Sequence, residues 1–197
     1  MKQSTKAMAR LFFAASFCCA LAFYAGLGRA EDVKPAAKLI KLAVFDLELD
    51  DFSAGGPLAG ESAEETARLR RVTALAREQL AKSGLFELVD TSASSDVNQR
   101  EHWLRKCNGC EADIARALGA DMSFLGFFRK ISVMEQNLEF RIRDAQTGEF
   151  LNVSQTDYRG ETDESWSRAI TWLIKHSLVE PELARRAQKQ QPQKQQP

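Results

Sequence analysis

The stretch that most restricts the fold is residues 122–133, MSFLGFFRKISV. Its first half is almost uninterrupted in apolar side chains and follows Gly119, where a preceding helix must stop. That pattern reads as a central strand buried on both faces. The residues after it alternate. Leu138, Phe140 and Ile142 point one way and Glu139, Arg141 and Arg143 the other, as in a half-buried strand. Asp144 to Gly148 is turn-forming, and Phe150 to Tyr158 returns as the second arm of a hairpin.

The other elements fall around this core. Lys38 to Asp50 reads as a strand with Ala43, Phe45, Leu47 and Leu49 on one face and Val44, Asp46, Glu48 and Asp50 on the other. Gly55-Gly56-Pro57 marks a loop. Ser62 and Glu65 have capping-box spacing, so each side chain can satisfy a free backbone N–H of the other. From there Leu69, Val72, Ala76 and Leu80 keep one apolar stripe, and Gly84 supplies a left-handed C-cap. Leu85 to Asp90 is a short strand, Thr91 to Gln99 a polar loop, and Glu111 to Leu118 a helix ended by Gly119. A final helix starts near Thr162 with Asp163 and Glu164 in its first turn, where acids complement the helix dipole. Its stripe is Trp166, Ile170, Leu173 and Leu178. The expected fold is α/β with an α+β-like character: one mixed sheet of about five strands with about three helices packed on it. One domain is expected over residues 31–184. A tail over 185–197, only Gln, Lys and Pro from Gln188 onward, offers nothing to bury.

The first thirty residues read as an address. Lys2, Lys6 and Arg10 precede an uncharged run from Leu11 to Leu27, and Gly28-Arg29-Ala30 provides the small residues of a cleavage site before Glu31. Cleavage after Ala30 would deliver a soluble chain to the periplasm; a retained anchor is the alternative, since 17 apolar residues reach the lower limit for a span. Cys18 and Cys19 do not make a lipidation site, because Phe17 and Cys18 stand where a small residue is needed. Four of the 27 basic residues lie in this segment. Residues 31–197 therefore hold 23 basic against 27 acidic residues, a net charge of −4. Such a chain has no electrostatic footprint for nucleic acid.

Cys107-Asn-Gly-Cys110 holds the two cysteines that remain after processing. In an oxidising compartment a disulfide is the default. Cys110 also opens the predicted helix, whose dipole favours a thiolate, so a redox-active pair is the second reading. Haem attachment needs His where Glu111 stands. Zinc needs about four ligands, and His102 is the one further candidate nearby. Asp46, Glu48 and Asp50 share a strand face and could hold a cation. Cross-strand neutralisation of Asp46 and Glu48 by Arg141 and Arg143 is the expectation preferred here, because calcium loops have turn-forming spacing. His102, beside Trp103, and His176 are isolated, which leaves no catalytic triad to argue. Trp166 belongs to the core stripe, and Trp172 is a possible partner contact.

Several of these pieces resemble the exported bacterial families of unknown function numbered 2380 and 3280: LAVFDLELDD, CNGCEADIARALGADMSFLGFFRKIS, RIRDAQTGEFL and YRGETDESWSRAITWLI. The similarity spans roughly residues 39–179. More distantly, GLFELVD followed by ARALGAD is similar to the amino-terminal domain of TolB and related envelope domains. That resemblance implies a TolB-N-like, envelope-associated module that binds other proteins, and it transfers no catalytic residue. The expectation is a non-enzymatic periplasmic accessory protein that binds an envelope or periplasmic protein partner. It needs no cofactor, metal or nucleic acid and has no membrane insertion after cleavage. The alternative is a thiol–disulfide accessory protein using Cys107 and Cys110.

Overall fold

The structure is a computed structural model that describes residues 38–92 and 103–189. The proposed signal segment, His102 and most of the Gln/Lys/Pro tail lie outside these residues. Six strands form one sheet: β1 Ile40–Val44, β2 Glu48–Asp51, β3 Phe86–Val89, β4 Met122–Lys130, β5 Gln136–Asp144 and β6 Phe150–Tyr158. Beside single turns at Gly56–Ala59 and Leu104–Lys106, the described residues form four helices. These are α1 Ala63–Lys82, α2 Cys110–Ala117, α3 Asp163–Ile174 and α4 Glu180–Lys189. The strands lie in the order β3-β1-β4-β5-β6, with β2 also paired to β4. β1 runs parallel to both of its neighbours, and the β4–β5–β6 meander is antiparallel, so the sheet is mixed as expected.

The expected single strand over Lys38–Asp50 is two strands on the same edge of β4. Val44 pairs with Phe124 and Glu48 with Phe127, so the chain advances four residues against three. One extra residue reverses every later side chain, because side-chain direction alternates with period two. Leu42 and Val44, then Leu47 and Leu49, consequently face one core, whereas Ala43 and Phe45 face the other. This corrects the expected grouping of Ala43 and Phe45 with Leu47 and Leu49. Gly126 makes room for the irregular segment: a Cβ there would come within 3.2 Å of Leu47 Cγ.

Helix ends follow local chemistry. Ser62 and Glu65 form the capping box that starts α1, and Thr162 and Ser165 form a second one that starts α3. Gly84 and Gly119 take positive φ just after α1 and α2, as C-terminal glycines do. The α1 stripe and the α3 stripe are buried over one face of the sheet. There Trp166, with no exposed surface, stacks on Phe128 with ring centroids 4.1 Å apart. On the other face a smaller core gathers Ala43, Phe45, Leu104, Ala115, Ala120, Leu125 and Ala145, with Ile114, Cys107 and Cys110 packed against it.

After α3 the chain continues through a π-helical turn, Lys175–Val179, into α4. Pro181 explains the irregularity: lacking an N–H, it cannot bond to the carbonyl of Ser177 four residues earlier. Asn152 Nδ2 donates to that carbonyl instead, at 2.9 Å. Helix α4 extends to Lys189, so residues 185–189, expected to open the tail, are helical.

Candidate functional site: the clamped cysteine turn

The chain between the Leu104–Lys106 turn and α2 is fixed from both sides by buried arginine–glutamate pairs. On the β2 side, Arg105 Nη1 donates to Glu48 Oε2 at 2.9 Å, and the Leu104 backbone N–H donates to Glu48 Oε1 at 2.7 Å. Arg105 Nε lies 3.1 Å from Asp50 Oδ1, an ionic contact whose angle is too bent for a hydrogen bond. The indole of Trp103 covers this guanidinium, 4.4 Å from ring centre to Cζ. Burial pushes the Glu48 carboxyl above its ordinary pKa, against the lowering effect of its bonds from Arg105 and Leu104.

On the β5 side, Arg143 is 7% exposed and uses three donors. Nε bonds to Glu111 Oε1 at 2.7 Å, Nη1 to the Gly148 carbonyl at 2.6 Å, and Nη2 to Asn108 Oδ1 at 3.2 Å. Phe150 lies over the guanidinium, with its ring centre 3.5 Å from Cζ. Glu111 is 2% exposed, and its second oxygen, Oε2, has no hydrogen-bond partner among the described residues.

Between these clamps sit Cys107 and Cys110. Their Cα atoms are 5.8 Å apart, the sulfurs are in contact, and both residues are partly exposed. Gly109, with φ 107°, turns the chain into α2, and Cys110 takes the first helical position. A left-handed conformation of that kind suits glycine. One carboxylate oxygen of Glu111 and the two sulfurs lie within 4.8 Å of one another. That set supplies three ligands, short of the four a structural zinc site needs.

The expected cross-strand pairing of Asp46 and Glu48 with Arg141 and Arg143 does not occur. β4 separates β5 from β1 and β2, which puts the two groups on strands that are not neighbours. Asp46 pairs with Arg77 of α1 at 3.0 Å, Glu48 with Arg105, Arg141 with Glu139 at 2.7 Å, and Arg143 with Glu111. Asp46, Glu48 and Asp50 are neutralised by arginines, though by Arg77 and Arg105, which come earlier in the chain than Arg141 and Arg143. With guanidinium groups on Asp46, Glu48 and Asp50, these carboxylates do not form an open cation cage.

Trp166 is in the core as expected. Trp172 is 49% exposed and tilted against His176, ring centroids 5.1 Å apart, and His176 in turn contacts Glu180. Arg105 and Glu111 carry much of the site and were not singled out from sequence. Glu111 left a signal: with Ala115 four residues on and Leu118 beyond, it falls on the inward stripe of α2, where a carboxylate must find a buried partner.

The family model DUF3280, described as a protein of unknown function (DUF2380), matches residues 40–178. The chain belongs to this family. Its match covers nearly the residues from which the resemblance was drawn. Among solved structures, this DUF3280 protein is similar to the LpoB C-terminal domain from Salmonella enterica, at 21% identity and TM-score 0.42 over 60% of this chain and 81% of that one. The lipoprotein GNA1162 from Neisseria meningitidis is 10% identical with TM-score 0.45, covering 77% of this chain and 99% of that one. TolB from Acinetobacter baumannii is 12% identical with TM-score 0.40, covering 75% and 30%. No curated protein matches the sequence.

Proposed function

We propose that this DUF3280 protein is an exported, non-enzymatic accessory protein of the cell envelope that acts in the periplasm by contacting a protein partner. The observation that carries this reading is an apolar strip on an edge strand. Phe150, Leu151 and Val153 of β6 are each about half exposed, and among the described residues β6 has a partner strand on one side alone. Such an edge offers free backbone donors and acceptors beside apolar side chains, the combination used in strand-addition contacts. Two strands away on β4, Phe127 is covered by the guanidinium groups of Arg129 and Arg141, at 5.6 and 4.9 Å, which are themselves paired with Asp50 and Glu139. Trp172 is a second candidate contact on α3. Export with cleavage after Ala30 rests on the basic n-region, the apolar run and the small residues before Glu31. No helix among the described residues is long and apolar enough to cross a membrane.

The test is site-specific photo-crosslinking in intact cells that express the full chain. A photoreactive residue at Val153 is expected to give a discrete heavier adduct, and the same residue at Glu78, exposed on α1, is expected to give none. Equal adducts at both positions would overturn the contact surface. Mass spectrometry of the purified protein should find Glu31 as the amino terminus, and an intact Met1 would overturn the export reading.

A further inference from the structure

The geometry points to a reversible thiol–disulfide exchange site at Cys107 and Cys110, with an acceptor in place for the thiol proton of reduced Cys107 and a buried carboxylate beside the pair for that of Cys110. Cys107 Sγ lies 3.2 Å from the carbonyl oxygen of Leu104. Glu111 places a carboxylate oxygen within 4.8 Å of both sulfurs, and its Oε2 is buried without a donor. A joined pair of sulfurs has no S–H and cannot use either acceptor. A buried acceptor left without a donor is costly, and reduction would supply one. Arg143 holds Glu111 through Oε1, and Oε2 carries no hydrogen bond among the described residues. The inference is independent of the contact surface on β6.

The reductant is a glutathione-class thiol. Its thiolate attacks the sulfur of Cys107, the S–S bond breaks, and the electron pair leaves on Cys110 Sγ. Cys110 is the better leaving group because it stands at the first position of α2, where the helix amide groups stabilise negative charge. The departing thiolate takes back from water the proton that the glutathione thiol released on ionising, and donates it in a hydrogen bond to Glu111. A second glutathione thiolate then attacks the mixed disulfide, and Cys107 leaves, takes a proton and bonds to the Leu104 carbonyl. Two glutathione molecules are oxidised to one disulfide, and the protein gains two electrons and two protons.

The experiment equilibrates the folded protein with defined ratios of reduced and oxidised glutathione and counts free thiols by alkylation and mass spectrometry. The expected result is a measurable midpoint within the glutathione range, moved towards the disulfide at least about fivefold in Glu111→Ala, the effect of losing one hydrogen bond. Because that variant leaves Arg143 unpaired and could unfold, the reduced wild-type protein is also examined by infrared spectroscopy. One S–H band should be lowered in frequency by a strong acceptor, and it should disappear in Cys110→Ser but not in Cys107→Ser. A pair that stays oxidised in excess reduced glutathione until the chain is denatured would overturn the inference. So would two S–H bands at the free-thiol frequency, or zinc retained stoichiometrically by the reduced protein.

Discussion

On the face covered by α1 and α3, aromatic and aliphatic side chains fill the space: Trp166 on Phe128, Phe124 on Phe140 at 5.2 Å, and the leucine stripes of both helices. On the opposite face the apolar core is smaller, and two buried arginine–glutamate pairs stand around the cysteine turn beside it. Apolar packing is non-directional and tolerant, so it stabilises without fixing a single arrangement of groups. Buried hydrogen-bonded charges stabilise less, since each must first be stripped of water, but removal of one partner leaves the other strongly disfavoured. The first face therefore holds the sheet together, and the second holds particular atoms in place.

If this contrast is right, Trp166→Ala has the largest effect. It empties a fully buried site and is expected to cost about 4 kcal/mol in denaturant unfolding, with loss of fixed packing on that face. A cost under about 1 kcal/mol would break the comparison, since it would mean that the helix face is loosely packed.

Arg143→Ala comes next. It leaves Glu111 buried and unpaired and is expected to cost about 3 kcal/mol. Arg168→Ala removes an exposed pair with Glu164 on α3 and is expected to change stability by no more than a few tenths, roughly 0.3 kcal/mol. Equal effects of the two substitutions would show that the turn is not clamped by burial.

Acid sharpens the comparison at a third place, where Lys130 joins Glu65 at 2.7 Å and Glu161 at 2.8 Å beside the helix face. Burial pushes the Glu65 carboxyl up, but its bonds from Lys130 and from the Ser62 backbone outweigh this and hold the pKa at about 2, against an ordinary 4.5. A folded pKa below the unfolded one stabilises fully above pH 4.5, and the contribution is lost as pH falls towards 2. Glu161 acts in the opposite sense, because burial raises its pKa, so the net loss is smaller than for the arginine. Melting temperature measured against pH should fall through this window, and Glu65→Gln should flatten the fall.

The double Cys107→Ser, Cys110→Ser variant is expected to fold. A closed loop this short gives a proposed disulfide about 2 kcal/mol on chain entropy, with weakened hydrogen-exchange protection confined to α2. The smallest effect belongs to Trp172→Ala, within about 0.5 kcal/mol because half of the ring is already in water. Loss of crosslinking without loss of stability in that variant would add α3 to the contact surface.

Element ends and faces were legible wherever their cause is local. Ser62 and Glu65 bond to backbone within one turn, Gly84 and Gly119 stop helices by their own conformational freedom, and Leu69, Val72, Ala76 and Leu80 declare an inward stripe by spacing. The hairpin from Gln136 to Tyr158 is local too, because a short turn fixes its register. The cysteine turn was equally visible as a motif. What alternation cannot say is which strand lies beside which. Arg141 and Arg143 had the right charge and period to face Asp46 and Glu48, yet β4 stands between them.

The sequence by itself determined most of the elements and the inward stripes of α1 and α3, since these depend on propensity, capping and periodicity over a few turns; the break between β1 and β2 and helix α4 were not among them. Tertiary structure alone decided the partners of the charges. Arg105 reaches Glu48 across 57 residues and Arg143 reaches Glu111 across 32, because strand order and the extra residue before β2 bring each pair together in a buried place. In such a space a charge has no water to fall back on, so its partner is set by what the fold places within about 3 Å, not by anything adjacent in the chain.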